Sequence, residues 1–394
     1  MVIPTGLLSV LLALTACSGT SLPGGDGKDP GQDGGATSAA SRAPAKLTIS
    51  PGDSTTGVRA RQQVTVRSKT GTLRSVRVTD EDGNRLEGAR KQQTWTSDGR
   101  LAPDERYEVH VVASGPEGRR TERTSTFSTF EPKQVADYHI VYDDWTVGVA
   151  MPVSIQFEEP VAESYQDDIE RAVSVKSTSD AEGAWGWLDD RQLMWRPRNY
   201  WEPGTRVSVN APLTGYQTGP DSWIEDDATG SMTIGRRQLT TVDIDDHEMQ
   251  VERDGETLES FPISSGRPGK ETETRSGKKV VILKDKKMTM DSSTVGIDKG
   301  EKGYYKVDTK YNVRVTWTGE FLHSAPWSVD AQGSSNVSHG CVNLSPEHAK
   351  WFYEHTIAGD PVDFTGSDRE FEPGEGIGVW QYSWQEWQRQ SALG

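Results

Sequence analysis

The chain has 394 residues, only 33% of them hydrophobic, with 40 glycines, 20 prolines and a formal net charge of −16. That length exceeds one ordinary core and implies two to four domains, and the composition fits small β domains joined by polar turns better than a large helical body. No Lys/Arg-rich run stands out, which argues against nucleic acid as a partner, and the two cysteines, Cys17 and Cys341, lie in unrelated contexts that do not read as a structural disulfide.

Residues 7–16 form a short apolar run that ends directly at Cys17. The run is too short for a permanent bilayer span and has the length of a signal-peptide core. No Lys or Arg precedes it, a departure from the usual basic start. The tetrad Leu14-Thr15-Ala16-Cys17 resembles the lipobox of bacterial lipoproteins. That resemblance implies cleavage before Cys17, a diacylglyceryl group on its thiol and attachment to the outer face of the cell membrane. A plain signal peptide that happens to contain a cysteine is the alternative. Residues 18–45 are rich in Gly, Ser, Pro and Asp. They bury too little apolar surface to offset ordering entropy and are expected to form a disordered linker.

From residue 46 onward the pattern becomes short alternating strands. Segments 46–49, 63–66, 73–78, 107–111 and 125–130 read as one β-sandwich over 46–131, with Asp82-Gly83 as a turn. Segments 147–149, 153–157, 173–175, 193–195, 206–209 and 232–234 read as a second module over 132–236. Trp185, Trp187, Trp195 and Trp201 cluster there, and core packing accounts for them more simply than a sugar platform.

Strand-like segments resume at 241–244, 249–252, 280–283 and 313–317, followed by Phe321-Leu322-His323-Ser324-Ala325-Pro326-Trp327 and then Ser338-His339-Gly340-Cys341-Val342-Asn343. Ser345 is a good N-cap for a helix running to about His355. An unpaired thiol in an exported protein persists when buried or when used. Polar neighbours and a nearby helix start suggest a stabilised thiolate at Cys341. Gly340 permits a positive φ or close approach of substrate, and loop amides there suit an oxyanion hole. A nucleophile needs a base within reach. His339 and His323 are the two local candidates. His348 and His355, seven residues apart on the helix, read as surface residues rather than metal ligands.

The stretch from His323 to Asn343, with His323 eighteen residues before Cys341, closely resembles the signature of L,D-transpeptidases with a YkuD-type catalytic domain. Met290-Asp291-Ser292-Ser293-Thr294 resembles that family's active-site flap, and Gly303-Tyr304-Tyr305 its substrate-facing tyrosine segment, with Tyr305 favoured over Tyr304. Trp380, Trp384 and Trp387 resemble the C-terminal region of actinobacterial members, which also carry two immunoglobulin-like domains. The region 271–277 lacks the proline of the Thr-Pro-x-Gly element found in many relatives. The resemblance implies a mainly β chain: two immunoglobulin-like sandwiches, a catalytic β domain with few helices over 237–366, and a Trp-rich extension over 367–394. It implies Cys341 as nucleophile and His323 as base, with His339, Gly340 and Cys341 supplying oxyanion amides. Tyr305, Met290, Ser324, Trp327, Ser338 and Asn343 would shape or brace the substrate site, and no metal or other cofactor is required. The implied partners are peptidoglycan stem tetrapeptides as donor and acceptor, with carbapenem β-lactams as covalent inhibitors. An L,D-carboxypeptidase or protein-to-wall enzyme using the same acyl-enzyme, and a non-catalytic wall-binding lipoprotein, are the competing readings.

Overall fold

A computed structural model describes residues 43–295, 298–301 and 304–394; the Cys17 lipobox and residue 303 of the tyrosine segment lie outside them. Two sandwiches lead the described chain. In the first, the sheets run in the order Lys46–Ser50, Thr65–Thr70, Thr94–Ser97, Gly88–Lys91 and Thr55–Val58, Arg120–Thr129, Arg106–Ser114, Thr72–Thr79. Inward residues such as Val64, Val66, Val109, Val111 and Phe127 fill the space between them, as period-two alternation requires. Ala45 is buried in this core and its N–H donates to Thr121 Oγ1 at 3.0 Å. The body therefore includes Ala45, the last residue expected of the linker.

The second sandwich pairs a sheet ordered Tyr138–Val141, Val153–Phe157, Gln192–Pro197, Gly183–Trp187 with one ordered Trp145–Val147, Ala228–Ile234, Arg206–Ala211, Ser174–Ser177. Trp187 and Trp201 are buried in its core, and Trp195 stacks on Trp201 with ring centroids 5.2 Å apart. These tryptophans are packing residues. The helix Glu163–Ala172 was not expected. Its fully buried apolar contribution is Ile169 alone, too little to give a readable helical stripe.

The third body holds a five-stranded sheet, ordered Glu256–Pro262, Glu248–Arg253, Gln238–Asp243, Pro361–Thr365, Gly277–Val280. Its second sheet is ordered Leu283–Asp291, Lys306–Arg314, Phe321–Ser324, Val342–Leu344. Val242, Val251, Val313, Leu322, Val342, Leu344, Phe352 and Phe364 form the shared core. The segment 280–283, expected as one strand, is instead the corner between the sheets. Val281 N–H donates to Asp360 O in the first sheet's neighbourhood, and Ile282 N–H to Arg314 O in the second. The helix Pro346–His355 is capped as expected, Ser345 Oγ accepting from His348 N–H at 3.2 Å.

The terminal segment does not stop at the third body. Ile377, Val379, Trp380 and Trp387 belong to the core of the second sandwich. Trp380 Nε1 donates to Ala150 O at 2.8 Å and Trp387 Nε1 to Ala184 O at 3.0 Å. The expected extension is thus an integral part of the sandwich two bodies upstream.

Candidate active site

Two short parallel strands position the chemistry. Phe321–Ser324 pairs with Val342–Leu344, with Leu322 opposite Val342 and His323 opposite Asn343. Residues in register on parallel strands share a face, and successive residues alternate. Leu322, Val342 and Leu344 point into the core. His323 and Asn343 therefore project to the other face. Cys341, one residue before its strand, packs there with Phe321 and Met290. The sequence spacing of eighteen is bridged by strand pairing, which sets the imidazole and the thiol on one side of one sheet as diagonal neighbours.

The histidine's protonation pattern follows from its partner. His323 Nδ1 lies 3.1 Å from Ser324 O, which can only accept. Nδ1 therefore carries the proton, and Nε2 keeps its lone pair. Burial, partly offset by that hydrogen bond, pushes the imidazole pKa down to about 4. Burial likewise pushes the Cys341 thiol up to about 12; the Phe321 backbone opposes this, Glu320 adds to it and Lys279 counters it. The thiol donates to Gly319 O at 3.6 Å. Both shifts favour the neutral forms, so the pair rests as thiol and imidazole. This replaces the expected stabilised thiolate. The strand Val342–Leu344 separates Cys341 from the helix start at Pro346, so the helix dipole does not act on the sulfur directly.

The remaining expected residues fall around this pair in distinct ways. Met290 is buried against Cys341, and Tyr305 packs against the same small cluster, its hydroxyl pushed up to about 12 by burial and then by Cys341. Tyr305 N–H donates to Ser292 Oγ at 2.9 Å, tying the two arms of the hairpin that carries Met290. His339 is exposed, its ring 5.2 Å from the Tyr305 ring and its Nε2 2.7 Å from Arg267 Nη2. Arg267 can only donate, so it occupies His339 Nε2 as an acceptor; partial desolvation by its neighbours and then this cation hold the His339 pKa below the usual range. Ser338 Oγ donates to Cys341 O at 2.6 Å and accepts from Gly340 N–H at 3.1 Å, which commits the Gly340 amide to the loop. Gly340 has φ +127°, a conformation glycine alone adopts without strain. Asn343 Nδ2 donates to Ser328 Oγ at 3.0 Å. Trp327 is 55% exposed, with its ring 6.1 Å from His323. His348 and His355 do not converge on this site: the first lies on Phe261 and the second stacks on Trp351.

Sequence reading missed a set of buried charges beside Cys341. Glu320, Lys279 and Arg275 are all buried, and both cations pair with the Glu320 carboxylate. Forty-one positions separate Lys279 from Glu320, and charged residues on alternating strands read as a solvated face, so no local signal marked them.

The profile of the L,D-transpeptidase catalytic domain matches residues 237–364, and that of a bacterial Ig domain matches residues 55–217. L,D-transpeptidase 2 of Mycobacterium tuberculosis (strain CDC 1551 / Oshkosh) is 34% identical over 351 residues, covering 88% of this chain and 85% of that protein. L,D-transpeptidase 5 of Mycobacterium tuberculosis (strain ATCC 25618 / H37Rv) is 33% identical over 357 residues, covering 88% of this chain and 77% of that protein. A solved structure of an LD transpeptidase in complex with imipenem is 33% identical, with a TM-score of 0.50, and covers 59% of this chain and 100% of that one.

Proposed function

Because the chain belongs to the L,D-transpeptidase family, we propose that it forms cross-links between the third residues of neighbouring peptidoglycan stems through a thioester on Cys341. The observation that supports this reading is the placement of the Cys341 thiol and the lone-pair-bearing His323 imidazole on one face of two paired strands. The Cys341 sulfur attacks the carbonyl of the third residue, a diamino acid, in a donor tetrapeptide. The thiol proton passes to His323 Nε2 as the S–C bond forms. Collapse of the tetrahedral oxyanion breaks the C–N bond, and the proton leaves with the amine of D-alanine. The side-chain amine of an acceptor stem then attacks the thioester, gives up a proton to His323, and releases the thiol. Backbone amides of the His339-Gly340-Cys341 loop stabilise the oxyanion, each such donor contributing on the order of 3 kcal/mol. For Gly340, whose amide donates to Ser338 in the resting loop, that role requires Ser338 to yield as substrate enters. Tyr305, Met290 and Trp327 shape the donor site, and Ser324, Ser338 and Asn343 brace it.

The purified ectodomain incubated with a carbapenem is expected to gain one covalent adduct, located by mass spectrometry at Cys341, while Cys341→Ala gains none. An adduct mapped to another residue, or an unlabelled wild type, would overturn the nucleophile assignment. With disaccharide-tetrapeptides as substrate, dimers are expected alongside free D-alanine. D-alanine without dimers would make the enzyme an L,D-carboxypeptidase instead.

The same proposal places the protein on the extracytoplasmic face of the cell membrane, held by acyl chains on Cys17. Labelled palmitate is expected to enter the full-length protein and not Cys17→Ser; equal labelling of the two would reject the anchor.

A further inference from the structure

Glu320 follows directly on Gly319, whose carbonyl accepts from the Cys341 thiol. The Glu320 carboxylate is buried. Its Oε1 accepts from the Arg275 backbone N–H and from Arg275 Nε, both at 3.1 Å. Its Oε2 accepts from Lys279 Nζ at 2.7 Å. Lys279 is fully buried, donates also to Arg275 O at 2.6 Å, and stands 3.7 Å from the centre of the Phe364 ring. Arg275 reaches on to Thr318 Oγ1 at 2.9 Å and to the carboxylate of Glu375 in the terminal segment. Thr274, its chain neighbour, donates its hydroxyl to Gly340 O at 2.9 Å and accepts from Gly266 N–H at 2.8 Å.

A buried ion cluster is a poor way to stabilise a fold, since apolar residues of equal volume do as well or better. What this cluster does hold is geometry. It joins the two backbone segments that bound the nucleophile: Gly319, which accepts from the sulfur, and Gly340, which precedes it. Gly340 has no side chain of its own to fix its position, and its positive φ leaves the loop dependent on outside contacts.

We propose that Glu320, clamped by Arg275 and Lys279 and assisted by Thr274, is a positioning residue for the Cys341 nucleophile. It touches neither substrate nor reacting atoms. It acts by holding the Gly319 and Gly340 backbones so that the thiol keeps one orientation toward an incoming carbonyl. The inference rests on Cys341 being the nucleophile. Labelling of the wild type at Cys341 tests that reading separately, so a failure of the nucleophile assignment and a failure of the positioning role can be told apart.

The test is the rate of carbapenem adduct formation at Cys341, measured by mass spectrometry across drug concentrations. Misorientation slows the chemical step without weakening the encounter. Glu320→Gln and Thr274→Val are each expected to lower the maximal rate by about tenfold or more. The half-saturating concentration should stay within about threefold of wild type. Thr274→Ser, which keeps the hydroxyl, should restore the rate to within about threefold of wild type. Thermal melting identifies any variant that fails to fold; if Glu320→Gln does, the Thr274 pair decides alone. Adduct formation at the wild-type maximal rate by folded Glu320→Gln, or by Thr274→Val, would overturn the proposal. So would a loss confined to the half-saturating concentration, or one that Thr274→Ser shares.

Discussion

His323→Ala is expected to slow adduct formation at Cys341 by two to four orders of magnitude, the range typical of a lost general base. The argument starts from the resting protonation states. Burial pushes the thiol up to about 12 and the imidazole down to about 4. At neutral pH, therefore, almost no thiolate exists, and the proton must leave the sulfur as the new bond forms. Nε2 is the acceptor because Nδ1 is held by Ser324 O. Without the ring the proton must pass to a less well-placed acceptor such as water.

The same states fix the pH dependence. A base with a depressed pKa stays competent as pH falls below the ordinary histidine range. The wild-type rate at limiting drug concentration should hold down to about pH 5 and decline through pH 4, and the thiol should add no inflection below about pH 10. In His323→Ala the acid limb should disappear, leaving a residual rate that rises with pH. A wild-type profile with its acid inflection between pH 6 and 7, abolished by His323→Ala, would mean that the imidazole is not held in a desolvating site.

Trp387→Ala is expected to destabilise the second sandwich and the terminal segment by about 4 kcal/mol, as for other fully buried tryptophans. The indole is wholly buried and its Nε1 hydrogen-bonds Ala184 O. It lies so close to Gly186 that a Cβ placed there would be 2.9 Å from Trp387 Cζ2. Its removal opens a large cavity beside Arg196. That guanidinium is buried, donates to Tyr382 O at 3.0 Å, and stands over the Trp380 ring at 4.6 Å. Burial pushes Arg196 down to about 10, so it depends on its aromatic and carbonyl neighbours. Denaturant unfolding monitored by tryptophan fluorescence gives the measurement. A loss below about 1 kcal/mol would show that the segment is only loosely seated.

The sequence made some of this legible and hid the rest for physical reasons. His323, Gly340, Cys341 and Asn343 were readable because polar and reactive residues concentrate within two short segments that one strand pairing brings together. The two sandwiches were readable because alternation survives wherever a strand has one dry face. Lys279 and Glu320 were not, since nothing local distinguishes a buried ion pair from two solvated charges before the fold unites them. The helix Glu163–Ala172 was missed because a nearly polar segment is held down by Ile169 and a few partial contacts. The corner at Val281–Ile282 reads as a continuous strand because the apolar run passes through it unbroken. Trp380, Trp384 and Trp387 announced an aromatic cluster without naming the surface that receives it.

The path of the last residues bears on how the enzyme can be divided. Cutting after residue 366 would discard Glu375, and with it a carboxylate neighbour of the buried Arg275. It would also strip Trp380 and Trp387 from a body that closes around them. Cutting before residue 237 would leave those same indoles with nowhere to lodge. A fragment that keeps the terminal contacts must therefore run from about residue 132 to residue 394, and even that cut gives up the packing of Phe130 on Trp223 and of Arg100 on Tyr216.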